Sequence, residues 1–259
     1  MKVDLHNHTT LCHHAEGTVN EYVEAAIANG TDVFAFSDHA PMDYDPKYRM
    51  SFEQMDGYRQ EVMAAKEKYK YQIEVLFAYE VDYLEGHMDE RVLKADVDFL
   101  IGSVHFIDDW GFDNPEFIGH YEHEDINVIW QKYFDQIEKM AESRLFDIAG
   151  HLDLIKVFKF MPTQEITKIA EQALLAIKAA DMVLEINVAG YRKPIGEAYP
   201  SKSLLERAYT LDIPITFGSD AHKPEQIGLY RKEAELLAKS IGYTRCATFK
   251  NRQRNMVEF

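Results

Sequence analysis

Seven apolar runs along this chain end in a histidine, an acid or both: LHNH (His6, His8), FSDH (Asp38, His39), FAYE (Glu80), GSVH (His105), AGHLD (His151), EIN (Glu185, Asn187) and GSDAH (Asp220, His222). Strand ends that share one rim can gather side chains that lie far apart in sequence around a single point. Imidazole and carboxylate are the groups that hold zinc, iron or manganese. The pattern therefore favours a fold that brings many strand ends to one mouth, with a polynuclear metal site there.

The runs themselves read as strands: Val3–Leu5, Val33–Phe36, Glu74–Phe77, Phe99–Gly102, Asp147–Ala149, Val183–Ile186 and Ile213–Phe217. They are short and rich in Val, Ile, Leu and Phe, as strands buried on both faces are. Helical stretches lie between them. Thr18 with Glu21, and Ser51 with Gln54, fit capping boxes, and Gly30 stands where the first helix should stop. Residues 165–180 and 232–241 carry helix-like apolar periodicity. Alternation of strand and helix predicts a parallel sheet. Ligand-bearing ends spread over most of the chain favour closure, because an open sheet would leave its edge ligands far apart. The expectation is a single α/β domain over residues 1–259, with residues 107–127, directly after His105, forming a loop over the mouth.

Bulk composition sets outer limits. The 259 residues suit one large domain, and 46% hydrophobic with 28% charged residues is ordinary for a globular protein. A net charge of -16 argues against nucleic acid as a partner, since phosphate backbones attract basic surfaces. It leaves room for a small anionic substrate, because clustered dications reverse the field locally. Two cysteines, Cys12 and Cys246, cannot build a disulfide framework. The opening MKVDLH lacks a basic leader with an apolar core, and no run is long enough to cross a bilayer, so a cytoplasmic protein is expected.

Each histidine needs its context. His87, His120 and His123 have no strand end behind them and read as solvent-facing loop residues. His6 and His8 differ: alternate residues of a strand point to one face, so the pair presents two imidazoles to one ion.

Taken in order, HNHT, SDHA, the Glu of AYEVD, SVHF, GHLD and GSDAH resemble the motifs of the polymerase and histidinol phosphatase (PHP) superfamily. The resemblance covers nearly the whole chain and implies a distorted seven-stranded (β/α)7, TIM-like barrel. It also implies two to three divalent ions, zinc first, with iron or manganese as alternatives. One ion would take His6, His8, Glu80 and Asp220; a second would take Glu80 as a bridge with His105 and His151; a third would take His14, His39 and His222. Spacing from His8 in related sequences points to His14 rather than His13. Asp38 is expected to orient an imidazole, and Cys12 to stay off the metal. A shared Glu80 offsets repulsion between neighbouring dications, and a water between them ionises near neutral pH. The chemistry indicated is hydrolysis, with Asp220, Glu80, His222 and Arg192 as the catalytic group.

Further segments narrow the ester. Trp110 to Pro115 (WGFDNP), the NVAGYRKP stretch from Asn187, EAYPS from Glu197 and Arg49-Met50 resemble the histidinol-phosphate phosphatase branch. That branch implies a small-molecule phosphate ester, L-histidinol phosphate, as substrate; the superfamily alone leaves another small phosphate or a nucleotide or oligonucleotide end open. Guanidinium matches a phosphate edge bidentately, which makes Arg192 the expected grip on the phosphoryl group. Lys156 and Lys159, where an arginine would be expected, are candidates for a second positive contact. Trp110 and Phe112 could stack on an imidazole ring or close the site, or equally pack the loop onto the barrel, a role favoured for at least one of them; Asp113 could meet the substrate's amino group or cap a turn.

Overall fold

The computed structural model describes residues 1–259. In chain order its strands are β1 (Val3–Asp4), β2 (Val33–His39), β3 (Glu74–Asp82), β4 (Phe99–Ser103), β5 (Phe106–Ile107), β6 (Trp110–Gly111), β7 (Ile148–Ala149), β8 (Val183–Asn187), β9 (Ile215–Gly218), β10 (Arg245–Lys250) and β11 (Gln253–Glu258). The helices are α1 (Val19–Ala28), α2 (Met55–Tyr69), α3 (Glu90–Leu93), α4 (Ile126–Glu142), α5 (Ile166–Ile169), α6 (Glu171–Ala179), α7 (Lys202–Thr210) and α8 (Arg231–Ile241). No helix is long and apolar enough to cross a membrane.

Seven strands form one parallel sheet in the order β1-β2-β3-β4-β7-β8-β9. The sheet curls until its outer strands meet. Leu5 N donates to Phe217 O at 2.9 Å, Asp220 N to His6 O at 2.7 Å and His8 N to Ala221 O at 3.0 Å. The result is a nearly closed barrel with helices outside, as expected from the buried strands. β2 is buried at all but its last residue and β3 at all but its first.

Local signals act where the sequence placed them. Thr18 accepts from Glu21 N while Glu21 reaches back to Thr18 N, which starts α1; Gly30, at φ 69°, follows its end. The periodic stretch 165–180 breaks at Ala170 into α5 and α6. The segment after His105 is more ordered than a plain loop: it holds the β5–β6 hairpin and a 3-10 helix, Pro115–Glu122.

The C-terminal hairpin β10–β11 has no counterpart in the sequence reading. It plugs the end of the barrel where the strands begin. Thr216 Oγ1 donates to Ala247 O (2.9 Å), Arg252 N to Asp98 O (2.8 Å), Arg252 Nε to Asp147 Oδ2 (2.8 Å) and Arg254 Nη2 to Asp181 Oδ1 (2.9 Å). Asp98, Asp147 and Asp181 stand just ahead of β4, β7 and β8. Phe249 is buried against Phe99, with ring centroids 5.5 Å apart.

Emptying that contact tests the plug. Phe249→Ala should cost about 3 kcal/mol in urea unfolding, the usual loss for a buried phenylalanine. Metal content should stay at the wild-type level, since the plug lies at the far end from the histidines.

Candidate metal centre

The register of the sheet assembles the site. β2 and β3 pair so that His39 lies beside Glu80, and β3 and β4 pair so that Asp82 lies beside Ser103. His6 and His8 extend β1, His105 follows β4, His151 follows β7, and Asp220 and His222 follow β9. These side chains meet at the bottom of a cavity of about 880 Å³, whose wall includes Arg49, Asp82, Asp113, Arg192, Lys193 and Tyr199.

Glu80 is the hub. It is 1% exposed, and its two oxygens face two sets of imidazoles. Oε2 lies 2.9 Å from His39 Nδ1, 3.3 Å from His6 Nε2 and 3.7 Å from His8 Nε2. Oε1 lies 2.9 Å from His151 Nε2 and 3.8 Å from His105 Nε2, and accepts from Ser103 Oγ at 2.6 Å. Burial by itself would raise the Glu80 carboxyl, but His6, His39 and His151 hold it well below the ordinary range. Asp220 behaves in the same way: burial opposes its charge, while His6, His8 and His222 keep it ionised.

Four groups of ligand atoms are close enough to share an ion: His6, His8 and Glu80; Glu80, His105 and His151; His14, His39 and His222; and His8, Cys12 and His222. Asp220 Oδ1 adds to the first, 3.2 Å from His8 Nε2. His14 approaches the third, its ring 4.6 Å from that of His222, whereas His13 turns outward to Lys47 O (3.1 Å). Cys12 lies near His8 and His222, yet its buried thiol donates to Thr9 O at 3.0 Å and burial pushes its pKa up.

The donor set fits divalent cations. His6 Nε2, His8 Nε2, His39 Nδ1, His222 Nε2 and Glu80 Oε2 are buried and form no hydrogen bond. Unpaired buried polar atoms are rare and costly unless something satisfies them. Here several converge within reach of one another, with the nitrogen and oxygen chemistry of zinc, iron or manganese sites.

A ring of acids aims the imidazoles. Glu185 Oε1 accepts a hydrogen bond from His6 Nδ1 at 2.7 Å, and its Oε2 accepts from His151 N at 2.9 Å. Asp82 hydrogen-bonds His105 Nδ1 and makes an ion pair with buried Arg49 (2.8 Å). Asp38 lies 3.3 Å from His8 Nδ1 and is held by Thr9. Glycine at 218 makes room for this layer, since a Cβ there would sit 2.0 Å from Glu185 Oε1. Asp82 and Glu185 were not assigned these roles from sequence, although both are alternate or terminal strand residues beside a ligand.

The substrate-side expectations fare less evenly. Arg192 lines the cavity, with Nη2 donating to Ser219 O (2.8 Å) and Asp220 O (2.9 Å) and Nη1 left unpaired. Those bonds pin a strained backbone, for Asp220 adopts φ 48°. Asp113 lines the cavity too, and burial raises its carboxyl against the pull of His105 and Lys193. Lys156 is a correction: it is fully buried, 3.0 Å from Asp153 Oδ2 and 2.8 Å from Glu197 Oε1, because Asp153 is itself buried and needs a counterion. Lys159 is exposed and outside the cavity wall; Lys193 is the lysine that lines it. Trp110 and Phe112 take the packing role, the second of the two open to them. Both are buried beneath the loop, Trp110 stacked on His120 (4.2 Å) and Phe112 edge-on to Tyr133 (5.2 Å), and neither reaches the cavity. His120 thus packs on an aromatic ring, while His87 pairs with Asp43 at the surface (2.8 Å).

Comparisons with known proteins agree with this geometry. The PHP domain model matches residues 4–189, and a PHP-associated model matches residues 205–236. The chain is 39% identical to a probable histidinol-phosphatase of Deinococcus radiodurans, over 96% of this chain and 97% of that one. It is 30% identical to the histidinol-phosphatase of Bacillus subtilis, over 91% of this chain and 98% of the relative. The structure of histidinol phosphate phosphatase from Lactococcus lactis, complexed with zinc, L-histidinol and phosphate, superposes with a TM-score of 0.80 at 25% identity, covering 98% of both chains.

A chelated sample should betray the cluster through its pH dependence. Burial disfavours charge on His8 and His105, but Asp220 and Asp38 raise the first to about 9, and Asp82 raises the second to about 10. Burial lowers His39 to about 4. The raised pair stabilises the fold fully below the unfolded value of about 6.5 and loses that stability as pH climbs through 9 to 10. His39 acts on the other flank, costing stability as pH falls from about 6.5 through 4. Urea midpoints of chelated protein should therefore peak near pH 6.5; a profile still rising between pH 7 and 9 would contradict the assignment.

Proposed function

We propose a phosphatase function for this chain, which belongs to the PHP domain family: it is a cation-dependent phosphomonoesterase that hydrolyses L-histidinol phosphate to L-histidinol and phosphate. The observation that carries this reading is the convergence of histidines and acids from six strand ends around Glu80, with the unpaired Nη1 of Arg192 on the same cavity wall. The names of the relatives, and the zinc, L-histidinol and phosphate bound by the Lactococcus lactis protein, support the same substrate. We take residues 1–259 as one working unit, serving histidine biosynthesis.

In this proposal one cation would be held by His6, His8, Glu80 and Asp220, a second by Glu80, His105 and His151, and a third by His14, His39 and His222. Zinc is the first candidate, with iron or manganese as alternatives. When bound, such ions supply a water that ionises near neutral pH and positive charge against the phosphoryl oxygens. Everything else falls to the chain. Glu80 turns one oxygen toward each histidine set and so spans neighbouring sites. Glu185, Asp82 and Asp38 fix which imidazole nitrogen faces inward. Arg192, anchored through Nη2, offers Nη1 to the phosphoryl group, where a guanidinium neutralises charge on the outer oxygens. Asp113, with no side-chain hydrogen bond of its own, receives the substrate's amino group.

The cavity lining holds no serine, threonine or cysteine to form a phosphoenzyme. The Cys12 thiol is kept protonated by burial and bonded to Thr9 O, and Ser103 Oγ is committed to Glu80. Direct displacement follows, with water delivering the new oxygen to phosphorus.

A reading with nucleotide ends as substrate is separable by assay. L-Histidinol phosphate should be turned over well ahead of nucleoside monophosphates and a short RNA, and chelation should abolish the activity; undiminished turnover after chelation would sink the metal assignment. Asp220→Ala should lose at least about a hundredfold in kcat, of the order seen when a transition-state charge contact is removed, while keeping the wild-type circular dichroism. In isotopically labelled water, a single turnover should put label into phosphate, and label in L-histidinol would rule out attack at phosphorus.

A further inference from the structure

Two tyrosine hydroxyls are buried without a hydrogen-bond partner, those of Tyr22 and Tyr199, and of the two residues only Tyr199 lines the main cavity. Four other buried tyrosines are satisfied by the fold: Tyr58 donates to Ala78 O (3.1 Å), Tyr121 to Phe112 O (3.3 Å), Tyr133 to His151 O (3.4 Å) and Tyr243 to Ile213 O (3.1 Å). A buried hydroxyl left unpaired is expensive, and such groups call for an explanation.

Tyr199 is also held unusually firmly. Asn187 N donates to Tyr199 O (2.7 Å) and Tyr199 N to Asn187 O (2.9 Å), pinching residues 187–199 into a closed loop. Gly190 permits the pinch, because a Cβ there would lie 2.0 Å from Glu197 O and 3.1 Å from the Tyr199 ring. Lys156 supports it from within: its ammonium donates to Ala198 O at 2.8 Å and lies 5.3 Å from the Tyr199 ring centroid. Asp153, the partner of Lys156, accepts from Ser201 N at 2.8 Å. The lysine that the sequence suggested for phosphate thus braces the tyrosine instead. The Tyr199 ring stands 6.5 Å from that of His151. The same closed loop carries Arg192, whose Nη1 is likewise buried and unpaired on the cavity wall. Burial raises the phenol well above its ordinary pKa, so it stays a hydrogen-bond donor throughout the working range.

We propose that the Tyr199 hydroxyl donates a hydrogen bond to a non-bridging oxygen of the bound phosphoryl group, completing with Arg192 a cradle built on one loop. This rests on the phosphate-ester reading above. It assigns a substrate contact to a residue that neither the spacing of ligands nor the charge pattern singles out.

Tyr199→Phe in the full-length, metal-loaded protein removes the hydroxyl and keeps the ring. Inorganic phosphate binding, measured by titration calorimetry, should weaken about three- to tenfold, the range for one neutral hydrogen bond. Binding of L-histidinol and the metal content should be unchanged. Phosphate affinity equal to wild type would overturn the proposal, as would parallel weakening of L-histidinol or loss of metal. In unsubstituted protein carrying labelled tyrosine Cζ, one resonance should move when phosphate is added; a spectrum with no movement would overturn it even if the variant failed to fold. Because the probe is phosphate itself, the result stands apart from whether L-histidinol phosphate is turned over. Poor turnover of that ester, with phosphate binding still dependent on the hydroxyl, would indict the substrate alone.

Discussion

The mouth of this barrel is organised by a single buried anion. Glu80 is a carboxylate almost without solvent, and an isolated charge in such a place would be prohibitively costly. Its surroundings are the answer to that cost: imidazoles from the first, second, fourth and fifth parallel strands of the barrel approach it, and a serine hydroxyl closes on one oxygen. Each imidazole brings its own requirement, a defined tautomer, and that demand pulls in Glu185, Asp82 and Asp38. Those acids need support in turn, which Arg49, Asn187 and Thr9 provide. The polar interior is therefore a layered consequence of one charge and the cations it is built to share.

Overall charge and local field are different properties of this molecule. The chain carries a net charge of -16, yet the cavity wall contains Arg49, Arg192 and Lys193 beside the histidine groups. Acids also line it, among them Asp45, Asp109, Asp113 and Glu116. A ligand with an anionic head and a cationic tail matches that mixture.

Much of this was legible before any coordinates. The seven parallel strands stand where the apolar runs stand, because strands covered on both faces cannot hide their composition. The residues nearest Glu80 were legible for a related reason: ligands end strands, and strand ends share a rim. What escaped was decided by tertiary partners. The β10–β11 hairpin is half exposed and carries Arg and Lys, so its pattern blends with surface. Lys156 reads as a free cation until the burial of Asp153 is known. For Trp110 and Phe112 the motif left stacking and packing both open, and only their burial under the loop decides for packing. Tyr199 lies in the EAYPS motif, but the motif does not show that its hydroxyl is unpaired, since that is a property of surroundings.

The plug formed by β10 and β11 secures the starts of β4, β7, β8 and β9, while the reactive groups gather at the opposite rim. Robustness and chemistry are thereby assigned to different poles of one molecule. Descendants of such a chain could exchange rim loops and drift toward new esters while inheriting the same foundation, so innovation at one pole need not endanger persistence at the other.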